Sequence, residues 1–265
     1  MTRRLPLFAA GFLIAMVGAV CGIGGGMFTV PLLHWVHKLP LKRAVATALV
    51  LVATTTGFAT LAECLRDEPQ MHVSILWRVA LGALIGAQIG FLVARRIRTD
   101  VLRFVFAFVM IAAAWRMATS SGGEGAAADS ATWLTAGAEW RALAAGIGGG
   151  FLAPLLGVGG GLLMVPALFL GIPGMGFGEA RATSLAAGFV ASLRSLWLHG
   201  RAGRVELPAV APLALGAVGG ALVGVQLVHI EGAVHVGRVI LSFVLVFVAA
   251  RFAYEAMKKK VEAPR

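Results

Sequence analysis

The stretch Gly22-Ile-Gly-Gly-Gly-Met-Phe-Thr-Val-Pro31 occurs twice in this chain, the second time as Gly157-Val-Gly-Gly-Gly-Leu-Leu-Met-Val-Pro166. The same shift of about 135 positions aligns Ala46-Thr47-Ala48-Leu49 with Ala182-Thr183-Ser184-Leu185. Because the matches keep one order and one period, we interpret the chain as an internal duplication. The predicted divisions are a first repeat at 1–118, a linker at 119–138, a second repeat at 139–257 and a basic tail at 258–265.

The composition is that of a membrane protein. Of 265 residues, 59% are hydrophobic and 13% are charged, and the mean hydropathy is +0.88. A soluble domain is about 45–50% apolar and about 25% charged. Because unpaired backbone polar groups are costly in lipid, the apolar segments must be helices. The predicted fold is therefore an all-α integral membrane protein, a polytopic helix bundle of two homologous halves.

Long apolar stretches mark the predicted helices. They lie at 5–20, 44–62, 75–94, 101–114, 140–170, 182–198, 207–228 and 234–250. Most approach the roughly 20 residues that a helix needs to cross the bilayer. Arg3 and Arg4 before the first stretch resemble a secretory signal. We nevertheless expect this stretch to be retained, because its counterpart lies in the middle of the chain.

Basic residues between the stretches predict the topology. Positive clusters fall at Arg3/Arg4, Lys38/Lys42/Arg43, Arg95/Arg96/Arg98, Arg201/Arg204 and Lys258/Lys259/Lys260. The positive-inside rule places all of these, and both termini, in the cytoplasm. The connections at 63–68, 124–139 and 174–179, and around Glu231, then face outward. This requires 5–39 and 140–173 to return to the side they left, as hairpins broken at the glycines, and it predicts inverted repeats.

The triple glycines are candidate binding elements. Glycine destabilises a helix interior by about 1 kcal/mol relative to alanine, so two such runs need a reason. Uncovered N–H groups and the positive end of a helix dipole would suit an anion, whereas close helix packing is an equally good explanation. A nucleotide fingerprint is disfavoured, since no strand precedes the run. Pro31 and Pro166 are expected to stop or kink the helix that follows each hinge. The substrate-binding candidates here are Gly24, Gly25, Gly26, Gly159, Gly160 and Gly161.

Polar residues of the second half share one helix face. They are spaced by three or four positions, at Arg181, Ser184, Gly188, Ser192, Ser195 and His199. Small hydroxyls near cationic groups would suit an oxyanion, but a packing seam whose hydroxyls bond their own helix is the alternative. The first half has only Thr47 and Thr54 at the equivalent place, so we expect an asymmetric site.

Two further sets of glycines recur at a spacing of four, which places each set on one helix face. They are Gly82/Gly86/Gly90 and Gly216/Gly220/Gly224. Because small residues let membrane helices approach closely, we predict that both sets are packing faces.

No pattern indicates metal, cofactor, redox or nucleic-acid chemistry. Cys21 and Cys64 form no C-x-x-C pair, and none of the six histidines has a familiar metal-ligand spacing. The net charge of +11 lies in short clusters between apolar segments rather than on one soluble face. We therefore expect no metal, no cofactor, no nucleic-acid partner and no catalytic residues.

The duplicated Gly-x-Gly-Gly-Gly-x-x-x-Val-Pro, the Ala-Thr-(Ala/Ser)-Leu after it and the loop His199-Gly200-Arg-Ala-Gly203 resemble the TauE/SafE-type sulfite exporter family. The resemblance implies a permease of the bacterial cytoplasmic membrane for sulfite, thiosulfate or organosulfonates. The family's motifs fall on Gly24, Gly25, Gly26, Pro31, Thr47, Gly159, Gly160, Gly161, Pro166, Thr183 and Ser184. The alternatives are an intramembrane enzyme, which would need paired acids or cysteines, and an assembly factor without transport activity. Whether the chain forms a homo-oligomer is left open.

Overall fold

The computed structural model describes residues 4–94, 111, 115, 137–230, 235–247 and 250. Every regular element in the described residues is an α-helix, which confirms the all-α prediction. The helices are α1 (Arg4–Cys21), α2 (Gly26–Val36), α3 (Leu41–Cys64), α4 (Val73–Ala94), α5 (Ala138–Leu156), α6 (Gly161–Gly171), α7 (Phe177–Arg201), α8 (Leu207–Val228) and α9 (His235–Phe247). The basic tail and nearly all of the predicted stretch 101–114 and linker 119–138 lie outside the described residues.

Three helices, α3, α4 and α8, are long and apolar enough to cross a membrane. Helices α1, α6 and α9 are apolar but shorter. Helix α7 is long, but it carries charged residues, among them Glu179 and Arg181. The bounds of α8 coincide with the predicted apolar stretch 207–228.

Left-handed glycines break the chain in both copies of the repeated motif. The φ angles are 77°, 71° and 78° at Gly22, Gly24 and Gly25, and 71°, 76° and 87° at Gly157, Gly159 and Gly160. A side chain at such a φ crowds the neighbouring carbonyl, so the six positions favour glycine. We call residues 22–25 the first hinge and residues 157–160 the second hinge.

The prolines do not end the helices that follow the hinges. The prediction was that Pro31 and Pro166 stop or kink them. The stop is wrong, because α2 continues to Val36 and α6 to Gly171, and the kink stays a prediction. An interior proline removes one backbone hydrogen bond. The packing of both helices against the rest of the bundle offsets this loss, and Pro166 itself is buried.

The glycine faces of α4 and α8 are helix contacts, as predicted. A Cβ on any of these glycines would overlap backbone of the facing helix. Gly82, Gly86 and Gly90 face the carbonyl groups of Leu143, Ile147 and Phe151 in α5, and Gly216, Gly220 and Gly224 face those of Phe8, Phe12 and Met16 in α1. Because the facing numbers rise together, α4 runs parallel to α5 and α8 runs parallel to α1.

Helices α3 and α7, which are counterparts in the two repeats, pack together and run antiparallel. Glu63 at the end of α3 contacts Arg181 near the start of α7. Arg43 at the start of α3 contacts Glu206, which follows α7. About 20 residues of α3 separate the two contacts, or about 30 Å, which matches the thickness of the hydrocarbon core. We call these the Glu63 end and the Arg43 end of the bundle.

Each hinged segment leaves and returns at one end of the bundle. Helix α8 begins beside Glu206 at the Arg43 end, and the parallel α1 therefore begins there too. After the first hinge, α2 ends shortly before α3 begins at that same end. Helices α5 and α6 make the corresponding excursion from the Glu63 end. The two hinges thus approach each other from opposite ends.

Candidate functional site

The two hinges lie in direct contact at the centre of the bundle. A Cβ on Gly26 would overlap the Gly157 carbonyl oxygen, and a Cβ on Gly161 would overlap the Gly22 carbonyl oxygen. The two contacts are equivalent in the repeat, because Gly26 corresponds to Gly161 and Gly22 to Gly157. Residues 21–26 and 157–162 are all buried. The repeated glycines therefore allow the backbones of the two halves to touch.

A helix begins at each hinge, with its amino terminus buried. Gly25 precedes α2 and Gly160 precedes α6, and neither position supplies a side-chain cap. The first N–H groups of a helix have no acceptor within it, and the dipole places partial positive charge at this end. The arrangement brings two amino-terminal helix ends close together in the core, where they favour a negative charge.

Residues of α3 and α7 pack around the hinges. A Cβ on Gly24 would meet Thr56 Cγ2 at 2.8 Å and Val52 Cγ1 at 3.1 Å. A Cβ on Gly188 of α7 would lie 3.0 Å from the Gly159 carbonyl oxygen. Because these contacts are so close, the structure is closed around the hinges in this conformation.

The predicted polar face of α7 is buried along its whole length. Arg181, Ser184, Ser192 and Ser195 are 0% exposed, and His199 is 3% exposed. The Ser184 hydroxyl donates a hydrogen bond to the Gly22 carbonyl oxygen at 3.2 Å, so this side chain reaches the first hinge. Ser192 and Ser195 instead donate to carbonyl groups of their own helix. The interpretation as a packing seam, whose hydroxyls bond their own helix, therefore fits Ser192 and Ser195 but not Ser184.

The two threonines of the repeated Ala-Thr motif have different surroundings. Thr47 is buried, and its hydroxyl oxygen accepts a hydrogen bond from the Glu206 backbone N–H at 3.0 Å. Thr183 is also buried, but its hydroxyl has no hydrogen-bond partner among the described residues. Thr47 therefore connects α3 to the loop before α8. The hydroxyl of Thr183 is available in the core to bind another group.

Arg181 lies against the first hinge in a buried ion pair. Its Nη2 is 2.8 Å from Glu63 Oε2, with the two side chains 0% and 1% exposed. Its Nη1 donates to the Ala19 carbonyl oxygen at 3.4 Å, and a Cβ on Gly22 would lie 3.0 Å from its Cγ. Its Nε is buried without a partner among the described residues. The guanidinium therefore links α7, the end of α1 and the end of α3.

Glu63 is a residue that the sequence reasoning misplaced. We predicted that it begins an outward connection, but it occupies the last turn of α3 inside the bundle. A buried carboxylate needs a counterion, and Arg181 supplies it. Gln70 also donates to it, through a backbone N–H 3.1 Å from Glu63 Oε1. His229 Nε2 lies 3.6 Å from the same oxygen, which is beyond hydrogen-bond distance.

At the other end of the bundle, His199 occupies the position equivalent to Glu63. The repeat shift that aligns Thr47 with Thr183 aligns Glu63 with His199 and Val45 with Arg181. His199 Nε2 lies 3.2 Å from the Pro154 carbonyl oxygen, and Pro154 is the counterpart of Ala19. Each end therefore has a buried titratable residue at this place, but among the described residues only Glu63 has an arginine bound to its side chain, whereas Arg204 binds His199 through the backbone.

The fold and the site define a class of protein: a helical membrane protein in which two hinged segments meet in the core. Residues 7–252 match the family model described as sulfite exporter TauE/SafE, and the chain belongs to that family. It is also similar to a protein of Haemophilus influenzae described as a probable membrane transporter protein, with 27% identity over 162 residues. That match covers 60% of this chain and 59% of the relative, which is less than two thirds of the relative's length. No solved structure matches the chain.

Proposed function

We propose that the protein is a permease that carries small sulfur-containing anions, such as sulfite, thiosulfate or organosulfonates, by alternating access. The single observation that carries the proposal is the meeting of two glycine-hinged helix ends in the core. Paired broken helices at the middle of a bundle are the usual position of a transporter's binding site. The family description supports sulfur oxyanions as the substrate class.

The proposed site lies between the hinges. It consists of the glycines of both hinges and of the first residues of α2 and α6, with Ser184, Thr183 and Arg181 of α7 beside them. The helix dipoles and the guanidinium favour an anion, while small hydroxyls suit its oxygen atoms. Thr47 and Ser192 belong to the same two packed helices, and we assign them to the walls of the path.

Alternating access is supported by a contact between polar side chains at each end of the bundle. Arg43 Nη1 lies 2.6 Å from Glu206 Oε1, and His72 Nε2 lies 3.0 Å from Glu179 Oε1. The shift that aligns Thr47 with Thr183 aligns Arg43 with Glu179, and the shift that aligns Gly82 with Gly216 aligns His72 with Glu206, so the two contacts occupy equivalent places. Each joins one half to the other. Opening one contact at a time would expose the hinges to one side of the membrane at a time.

The orientation follows from the charges. The Arg43 end carries Lys38 before α3, Lys42 and Arg43 in the first turn of α3, Arg201 at the end of α7 and Arg204 after it. By the positive-inside rule this is the cytoplasmic end, and the Glu63 end faces outward. The proposed location is the bacterial inner membrane, with the two halves inverted relative to each other.

Flux measurements in proteoliposomes test the function. The full chain is reconstituted, and uptake of radiolabelled sulfite, thiosulfate and a labelled organosulfonate is compared with protein-free vesicles. We expect saturable uptake of at least one of these anions, which the unlabelled anion inhibits. Equal uptake with and without the protein for the whole panel would reject the substrate class.

A further inference from the structure

The Arg181–Glu63 pair raises an electrostatic problem for a transporter of anions. The guanidinium that lies against the first hinge already has a carboxylate at 2.8 Å, and both side chains are buried. One guanidinium cannot balance both Glu63 and an added oxyanion in the core, so we expect an oxyanion that binds Arg181 to displace Glu63. A displaced carboxylate in the core would then be an uncompensated buried charge, which is strongly destabilising.

We propose that Glu63 couples transport to protons: the substrate anion takes its place beside Arg181, and the displaced carboxylate is protonated. The inference rests on the proposed transport function. A monoanion replaces one negative charge with another at the guanidinium, and one proton neutralises Glu63, so no buried charge is left without a partner. A dianion such as thiosulfate brings a second negative charge, which the amino termini of α2 and α6, each worth about +0.5 charge, offset. When the anion leaves on the opposite side of the membrane, Glu63 releases its proton to that same side and binds Arg181 again, so anion and proton cross together.

The groups that face Glu63 provide a route for the proton. His229, which follows α8, is the titratable group that we place on this route: its Nε2 lies 3.6 Å from Oε1, and its side chain is 15% exposed. Gln70 contacts both partners, through its backbone N–H to Glu63 and through its side chain to Arg181 at 3.4 Å. Arg66 contacts Gln226 nearby, and the His72–Glu179 pair of the same end lies beyond Gln70. From α1 the pair receives a backbone carbonyl group, that of Ala19.

The other end of the bundle lacks this competition. Val45 occupies the position equivalent to Arg181, and His199 the position equivalent to Glu63. Among the described residues, a substrate at that end would meet no buried arginine that is already paired with a carboxylate, because the side chains of the Arg43–Glu206 pair there are 51% and 37% exposed. The exchange of anion for carboxylate therefore belongs to the Glu63 end, which we assign to the outside.

Thiosulfate uptake into proteoliposomes, with the membrane potential clamped by potassium and valinomycin, tests the coupling. Thiosulfate stays ionised in the neutral range and so carries no proton itself. For the wild type we expect uptake about fivefold or more faster at external pH 6 than at pH 8. In Glu63→Gln, which cannot lose or gain the proton, we expect the two rates to be equal. Glu139→Gln removes an exposed carboxylate that pairs with Arg78, and it should keep the wild-type ratio.

The remaining outcomes separate this inference from the function on which it rests. Wild-type uptake that is equal at the two pH values, or a Glu63→Gln variant with the wild-type ratio, would overturn the coupling and leave transport intact. If Glu63→Gln does not fold, a pH-sensitive dye trapped in wild-type vesicles decides. Acidification of the lumen during thiosulfate entry supports the coupling, and entry without acidification rejects it. A wild type that carries none of the anions rejects both proposals.

Discussion

At Gly26 and Gly161 the space for one methyl group determines whether the two halves can touch. Each is the first residue of a helix, and each Cα lies against a carbonyl oxygen of the opposite hinge. Neither has the left-handed φ of the glycines before it, so space rather than backbone conformation requires glycine here. An alanine at either position therefore tests the close contact of the hinges without straining the backbone.

Gly26→Ala and Gly161→Ala should each lower the free energy of unfolding by about 1–3 kcal/mol, because the new Cβ overlaps backbone that cannot rotate away. Gly200→Ala is the control, since nothing lies within 4 Å of its Cβ position, and it should be neutral or slightly stabilising. Thermal unfolding of the purified variants in detergent measures this. An unchanged transition in both hinge variants would contradict the observed contact.

Among single residues, the sequence predicted the hinge glycines but missed the role of Glu63. The hinge glycines were identifiable because their pattern is local and repeated. Glu63 was not, because its role depends on Arg181, which is 118 positions away, and because the charge rule for loops counts an acid near a helix end as a loop residue. A comparison of the repeats would have given a hint, since Glu63 aligns with His199 on the polar face of α7.

Among the helices, the main finding is that the closest pairs join different halves. The glycine spacing predicted the contact faces of α4 and α8 correctly, since the period of four is local. It could not predict their partners. Helix α4 packs on α5, and α8 on α1, because the carbonyl groups of α5 and α1 fit against the glycine faces. Complementarity of two surfaces is not encoded in either segment alone.

Gly220 and Gly219 of α8 offer a matched test of this packing. A Cβ on Gly220 would overlap the Phe12 carbonyl oxygen, whereas one on Gly219 would lie at an ordinary 3.4 Å from the Phe12 ring. We expect Gly220→Ala to destabilise the protein by about 1–3 kcal/mol and Gly219→Ala to have little effect. Chemical unfolding followed by tryptophan fluorescence compares the two. Equal stabilities would mean that α1 and α8 are not packed at this register.

For the whole molecule, the account requires the two ends to open in turn. The contacts Arg43–Glu206 and His72–Glu179 join the halves at opposite ends of the bundle. The charge pattern of the sequence divided the loops between two sides of the membrane, but it did not predict these contacts. Each one forms between segments that only the antiparallel packing of α3 and α7 brings together.

Cysteine pairs at these positions test whether the ends move. In a background with Cys21→Ser and Cys64→Ser, we expect a short bifunctional thiol reagent to stop transport when it bridges Arg43→Cys with Glu206→Cys, or His72→Cys with Glu179→Cys. The pair Arg78→Cys and Glu139→Cys is the control, because α4 and α5 are packed tightly and need not separate. Transport that continues at full rate with an end bridged would argue against alternating access.

The central claim is that an anion binds between the two hinges, and anomalous diffraction from crystals grown with selenite, the heavier analogue of sulfite, tests it most directly. The account predicts a selenium peak within hydrogen-bond distance of the first N–H groups of α2 and α6, and a Glu63 carboxylate displaced from Arg181. A peak confined to Arg201 and Arg204, at the carboxyl end of α7, with both hinges packed as they are here, would contradict it.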